Sequence, residues 1–423
     1  MTRRRTLPAT SPVAALVALL LASPAPAETL REAVAAAYAG NPQLAAARAR
    51  QDALAETPEQ ARALGRPTLS TGATTGYDRL GEGTAGAATI DAALPIWTGG
   101  RVRSARRAAE RDVAAGLEGL RDTVATVLQA VVLAYAELLY AQQAVDVARV
   151  GIDRLDRQVS ETRARFDLGQ ATRTDVAQLE AQRASVVANL ADAEGALATA
   201  EAAYRAVVGR EAGRLSPTIP PPAALPTDRD AARRAAEAAN PLLLQQRQVE
   251  AASAARIDQA RADGAPALDL AGGYGRGMRI GPGDGRSYPV AGSVGLALRV
   301  PLLTGGLVPS RIRQAQATNR AERFQAEAAR REAVRAADTA WASLAAAQAR
   351  LHANVEGLAA ADLALRGVRA EYGFGLRSTI DILVADQSFR AAQLAVAAAR
   401  ADMLVAQAAL LRATGRLTAS AYG

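Results

Sequence analysis

The chain has no cysteine, no lysine and a single histidine. Without cysteine there is no disulfide framework, no thiolate metal site and no thiol to carry a lipid after a secretory leader. His352 stands without a partner histidine or cysteine, which removes most transition-metal and triad chemistry, and it is expected to be an ordinary helix residue. Nothing in the chain reads as catalysis, and no cofactor or metal is implied. Aromatic residues make up only 4% of the sequence. That is too few for the stacking platforms of a nucleic-acid interface, and bulky apolar side chains are too scarce to fill one compact globule of this length. Alanine supplies much of the apolar half, which suits close helix–helix contact along a seam.

Positive charge is carried by arginine alone, 50 residues against 42 acids. Three of these, Arg3, Arg4 and Arg5, open a stretch that reads as a secretory signal over residues 1–27. An apolar run from Val13 to Leu21 follows, then the small-residue cleavage site Ala25-Pro26-Ala27. The run is too short to span a bilayer as a helix. The mature chain is expected to begin near Glu28 and to work outside the cytoplasm. Its remaining positive excess is spread along helices, so nucleic acid is excluded as a partner.

The sequence then says the same thing twice. Asn41-Pro42-Gln43-Leu44 returns 199 positions later as Asn240-Pro241-Leu242-Leu243. Pro95-Ile96-Trp97-Thr98-Gly99-Gly100 returns 206 later as Pro301-Leu302-Leu303-Thr304-Gly305-Gly306. Phe166-Asp167-Leu168-Gly169, followed by Asp175, returns 206 later as Tyr372-Gly373-Phe374-Gly375, followed by Asp381. A repeat this long is a duplicated fold, not a solenoid of short modules. The growing offset places an insertion in the second copy, most simply within Arg276–Tyr288.

Each copy (residues 28–215 and 228–415) reads as helix, strand hairpin, long helix and returning helix. In the first, Thr29 caps a helix running to about Leu64 and stopping before Pro67. A hairpin over 67–97 alternates Ile90, Ala92, Leu94 and Ile96 against Thr89, Asp91 and Ala93, with a turn at Gly81-Glu82-Gly83. In the second, the helix covers 228–262 and the hairpin 266–303, where Val294, Leu296, Leu298 and Val300 alternate with small or polar residues. Such alternation is the signature of a transmembrane barrel strand. It also describes a strand in any half-exposed sheet, and it is the two hairpins at equivalent places in the two copies that carry weight. The long helices, 101–166 and 307–372, measure on the order of 100 Å at 1.5 Å per residue, a coiled-coil-like rod. The returning helices cover 172–208 and 378–413. Each matches the helix ahead of its hairpin in length, so the two stacked end to end equal one rod. Residues 216–227 form a proline-rich linker and 416–423 a tail. Four strands cannot close a barrel, and open edges are not tolerated in lipid, so the chain is expected to share a barrel with copies of itself.

Taken in order, the Asn-Pro-x-Leu markers, the Pro-x-x-Thr-Gly-Gly junctions and the two glycine turns resemble the TolC-like outer-membrane efflux factors over residues 28–415. The fold class this implies is mainly α with a small β part: a homotrimer with a shared 12-stranded barrel in the outer membrane, continued as a helical tunnel into the periplasm. The implied function is an exit duct for substrates delivered by an inner-membrane transporter and a periplasmic adaptor (membrane fusion) protein, with outer-membrane lipid around the barrel. The resemblance also implies junction residues Pro95, Gly99, Gly100, Pro301, Gly305 and Gly306, and turn glycines Gly169 and Gly375. A gate network is implied in which Tyr372 and Arg377 tie to Thr174 and Asp175, and a constricting carboxylate ring at Asp381, with Val384 where a second ring would stand. A periplasmic coiled-coil adaptor without a pore is the alternative; it explains the rods but not the duplicated hairpins.

Three further features invite a function. Gly281-Pro282-Gly283-Asp284-Gly285 precedes a strand, not a helix, and reads as a hairpin loop. Arg101, Arg103, Arg106 and Arg107 crowd one helix start, echoed by Arg311 and Arg313; they fit anionic headgroups or a wetted face. Trp97, Tyr77, Tyr274 and Tyr288 lie near strand ends, as an interfacial girdle or as barrel-base packing.

Overall fold

The computed structural model describes residues 27–78, 83–222, 224–280 and 290–422. Nearly all of the leader, the tip of the first hairpin, the Gly281–Gly285 run and Tyr288 lie outside the described residues.

In the first copy the chain forms α1 (Leu30–Gly40), α2 (Pro42–Ala55), α3 (Thr57–Ala63), β1 (Thr68–Asp78), β2 (Gly83–Trp97), α4 (Arg101–Asp167) and α5 (Arg173–Val208). The second copy forms α6 (Arg229–Ala239), α7 (Pro241–Ala262), β3 (Ala267–Ile280), β4 (Ala291–Arg299), α8 (Leu307–Gly373) and α9 (Thr379–Ala413). Where one helix was expected ahead of each hairpin, there are several. Asn41 and Asn240 adopt extended backbone and cap a new helix whose first residue is proline. Proline lacks the N–H needed to continue the preceding helix. A further break falls at Thr57-Pro58.

These breaks build columns. Asn41 accepts a hydrogen bond from the Gln43 N–H at 2.9 Å, and its amide donates to the Val207 carbonyl at the end of α5, 3.0 Å away. Asn240 accepts from the Leu243 N–H at 3.1 Å and donates to the Ala413 carbonyl at the end of α9, at 3.0 Å. Each asparagine therefore satisfies the orphan donor of one helix start and an orphan acceptor of one helix end. α2 continues α5, and α7 continues α9. The 67-residue rods α4 and α8 run beside these spliced columns for their full length.

The core sits at the level of the splices. Leu128, Val131, Val132, Tyr135 and Leu138 of α4 pack against Leu30, Val34 and Ala37 of α1, Tyr204 of α5 and Leu411 of α9. The hydroxyl of Tyr135 donates to the Glu28 and Ser216 carbonyls at 2.9 and 3.0 Å, and burial pushes that phenol up to about 12. Tyr204 and Arg210 both donate to the Glu28 carboxylate at 2.6 Å. The start of the first copy is thus pinned to the start of the linker. α4 and α9 each hold a stretch long and apolar enough to cross a membrane, but it is 61% buried in one and 50% in the other. That apolarity serves packing.

The four strands make one antiparallel sheet in the order β1-β2-β3-β4, so the two copies join through β2 and β3. Register sorts the side chains cleanly. Leu94, Leu270 and Leu296 share one row, and Leu69, Ala92 and Val294 another on the same face. On the opposite face Ser70, Asp91, Gly273 and Ser293 form a polar row. The expected alternation fails only at the end of β2. There a bulge sets Pro95 opposite Asp269 and Trp97 opposite Leu268, leaving Ile96 as the extra residue. Proline cannot donate to the ladder and is tolerated at such irregularities. The bulge re-aims Trp97 onto the apolar face.

Candidate functional site at the junctions and helix tips

At the sheet end, each strand enters its rod through paired glycines in the left-handed region. Gly99 and Gly100 have φ of 60° and 87°, and Gly305 and Gly306 have 57° and 82°. The Thr98 carbonyl accepts from the Arg101 N–H at 3.0 Å, as the Thr304 carbonyl does from Leu307. At Gly99 a side chain is doubly excluded, because a Cβ there would lie 2.4 Å from the Ala265 Cβ. Pro95 sits at the irregularity two residues before the end of β2, and Pro301 follows the last paired residue of β4, Arg299.

At the opposite end, each rod closes on a glycine turn. Gly169 (φ 73°) donates to the Phe166 carbonyl at 2.8 Å while Gln170 reaches Arg165, and Gly375 (φ 74°) donates to Tyr372 at 2.9 Å while Leu376 reaches Glu371. These are Schellman-type closures. Immediately after them come two matching capping boxes. Asp175 accepts from the Thr172 N–H and hydroxyl at 2.9 and 2.7 Å, and Asp381 accepts from the same groups of Ser378 at 2.9 and 2.8 Å. These bonds hold both carboxyls below the usual carboxylate range. The proposed gate aspartate and the proposed ring aspartate are therefore one position of the duplicated fold.

The four residues expected to form a gate lie at or near the tips, but within a protomer they do not bond to one another as expected. Arg377 donates to Glu371 at 2.6 Å, with Asp381 as a further nearby negative charge. Tyr372 lies beneath the Arg165 guanidinium, 4.9 Å from ring centroid to cation. The Thr379 hydroxyl of the second tip lies near Asp175 and, after the Thr172 bonds, helps hold its carboxyl low. Thr174 is exposed on the first turn of α5. The two tips thus meet through Arg165–Tyr372 and Asp175–Thr379. Around them Leu168, Phe374 and Leu376 are 73%, 83% and 74% exposed.

One cluster has no counterpart in the sequence expectations. Asp386 of α9, 3% exposed, pairs with Arg390 at 2.8 Å, Arg369 of α8 at 3.5 Å and Arg154 of α4 at 3.8 Å. Arg154 also covers the Phe389 ring at 5.3 Å. Asp386 and Arg390 at i and i+4, flanked by Ile382 and Phe389, was the readable signal, a charged pair among apolar helix positions. Among the described residues no cluster of side chains could hold a metal ion. His352 is exposed and faces Glu356.

This constellation of spliced helical columns, glycine junctions and an antiparallel four-stranded sheet has close relatives. Residues 33–210 and 232–416 match the family of outer membrane efflux proteins. The chain belongs to that family. It is 34% identical over 409 residues to the outer membrane efflux protein BepC of Brucella suis, covering 94% of this chain and 87% of that one. It is 28% identical to the outer membrane protein TolC of Escherichia coli, over 92% of this chain and 83% of that one. The crystal structure of VceC from Vibrio cholerae superposes with a TM-score of 0.74 at 22% identity, covering 91% of this chain and 96% of that chain. Members of the outer membrane efflux family are channel proteins without enzymatic chemistry. Membership places the sheet of this chain in the outer membrane and its helices in the periplasm.

Proposed function

We propose that three copies of the chain close a 12-stranded barrel and form an exit duct for substrates handed over by an inner-membrane transporter and a periplasmic adaptor. The observation that carries this reading is the sheet itself. Among the described residues its outer strands β1 and β4 pair only with β2 and β3, and one of its faces carries the apolar rows of Leu69, Leu94, Leu270, Val294 and Leu296. In lipid such edges must be paired, and only further copies supply matching strands at the same height. The polar row through Ser70 and Asp91 then lines the lumen. Exposed apolar side chains at the tips suit an adaptor, which would cover them on docking.

We further infer that the tips are the gate. Thr174, Asp175, Tyr372 and Arg377 sit at the periplasmic mouth, where Arg377 and Asp175 can exchange their local partners for each other across protomers. An Arg–carboxylate bond is directional and charge-assisted, and three of them around an axis can hold a mouth closed. Asp381, kept ionised by its capping box, supplies a carboxylate ring that focuses a negative field. Single-channel conductance of the residue 28–423 protein in a planar bilayer tests this. A small steady conductance that rises several-fold in Arg377→Ser is expected. A pore indifferent to Arg377→Ser would remove the gate, and no pore would remove the duct.

A further inference from the structure

We propose that the first copy carries a binding site for the phosphate headgroup of an anionic phospholipid, at the periplasmic rim of the barrel. The site is a pocket of about 480 Å³ between α3, the end of β2 and the start of α4. Its floor is basic, with Arg62, Arg103 and Arg106; its upper wall is Ile96 and Trp97, each about half exposed. The pocket is formed by elements of the first copy of one protomer. The proposal therefore rests on the sheet lying in the membrane and is independent of the gate.

Three observations point to this ligand. First, the wall is continuous with the membrane-facing surface, because the β2 bulge puts Trp97 in the row of Leu268 and Leu298. An acyl chain lying along Leu268 and Trp97 brings its headgroup to the level of Arg103. Second, the cations outnumber their local anions. Arg62 and Arg66 share Glu59, Arg106 pairs with Glu110 at 2.7 Å, and Arg101 and Arg103 have no carboxylate partner among the described residues. A phosphodiester completes that balance, and guanidinium groups bind phosphate with matched geometry.

Third, the duplication provides an internal control. The second copy builds the same junction, yet Leu303 stands at the position of Trp97, Pro309 at that of Arg103 and Ile312 at that of Arg106. Its Leu302 and Leu303 are 91% and 93% exposed. Arg62 recurs as Arg261, so what sets the first copy apart is Arg103, Arg106 and the Trp97 indole. The fold of the junction does not require these three, and their presence on one copy alone assigns them to a ligand.

The chain has two tryptophans, so Trp341→Phe leaves Trp97 as the sole indole reporter. The detergent-purified protein is titrated with bromine-labelled phosphatidylglycerol or phosphatidylcholine, and quenching of Trp97 is followed. In Arg103→Gln/Arg106→Gln the half-quenching concentration of phosphatidylglycerol is expected to rise about ten-fold or more, with phosphatidylcholine shifting less than about two-fold. Arg103→Lys/Arg106→Lys keeps the charge without the guanidinium fork and should restore only part of the preference, and an unchanged helical circular dichroism spectrum establishes that each variant is folded. A reporter moved to the second copy (Trp97→Phe with Leu303→Trp) should show no headgroup preference. Equal quenching by both lipids in the parent, or equal preference at Leu303→Trp, would overturn the proposal. So would release of phosphatidylglycerol by millimolar inorganic phosphate, which would make this a site for the free ion.

Discussion

Single residues carry the joints of this molecule. Asn240 has one bond within its own helix start and one to Ala413, which is 173 positions away. Asn240→Asp keeps the first, loses the second and sets a negative charge against the carbonyl end of α9. It should cost about 1–3 kcal/mol, seen as an earlier denaturant midpoint, with Asn41→Asp behaving alike. The capping boxes give a pH dependence. Asp175 and Asp381 have folded-state values depressed below their unfolded ones, so their contribution is fully present above the unfolded value, about 4. It fades as pH falls through the depressed folded values. Hydrogen exchange at residues 173–176 and 379–382 should therefore be steady from pH 7 to about 5 and lose protection below about 4. Asp175→Asn should flatten that response at the first tip only. The Asn-Pro markers and Thr-x-x-Asp spacing are visible in the sequence, but the partners that give Asn41 and Asn240 their role lie far along the chain. Local pattern cannot reveal them.

At the scale of elements, periodicity was informative wherever one physical requirement dominated. Two-residue alternation marked strands with one apolar face, and paired glycines marked the ends of the rods. It failed where a tertiary joint overrode it. The helix expected over 28–64 divides at Asn41 and again at Thr57-Pro58, because the column must be re-aimed onto α5 and then into β1. Ile96 leaves the apolar row because of a bulge that alternation cannot signal. The Asp386 knot belongs to this scale too, since it ties α4, α8 and α9 together beside the tips. Removing its only carboxylate leaves Arg390 buried, with a guanidinium nitrogen that already lacks a partner. Asp386→Ala should cost about 3–5 kcal/mol in denaturant stability. A paired replacement, Asp386→Leu with Arg390→Met, should recover most of it. If the single variant is neutral, the knot does not hold the hairpins together.

For the whole molecule, the duplicated half explains both the symmetry and its exceptions. Two copies give four columns of nearly equal length beneath four strands, and the sheet then stops with both edges open. Closure into a ring of three is the central claim, and the absence of cysteine makes it directly testable. One cysteine is placed on β1 at Ser70 and a second is walked along the same face of β4 through Ser293, Gly295 and Ala297. The purified protein is then oxidised and run under denaturing conditions. Covalent dimers and trimers should form at one or two of these positions, with nothing larger than three chains. Cysteines at Val294 or Leu296, on the opposite face, should not join. Cross-links confined to single chains, or a ladder continuing beyond three, would contradict a closed trimeric barrel.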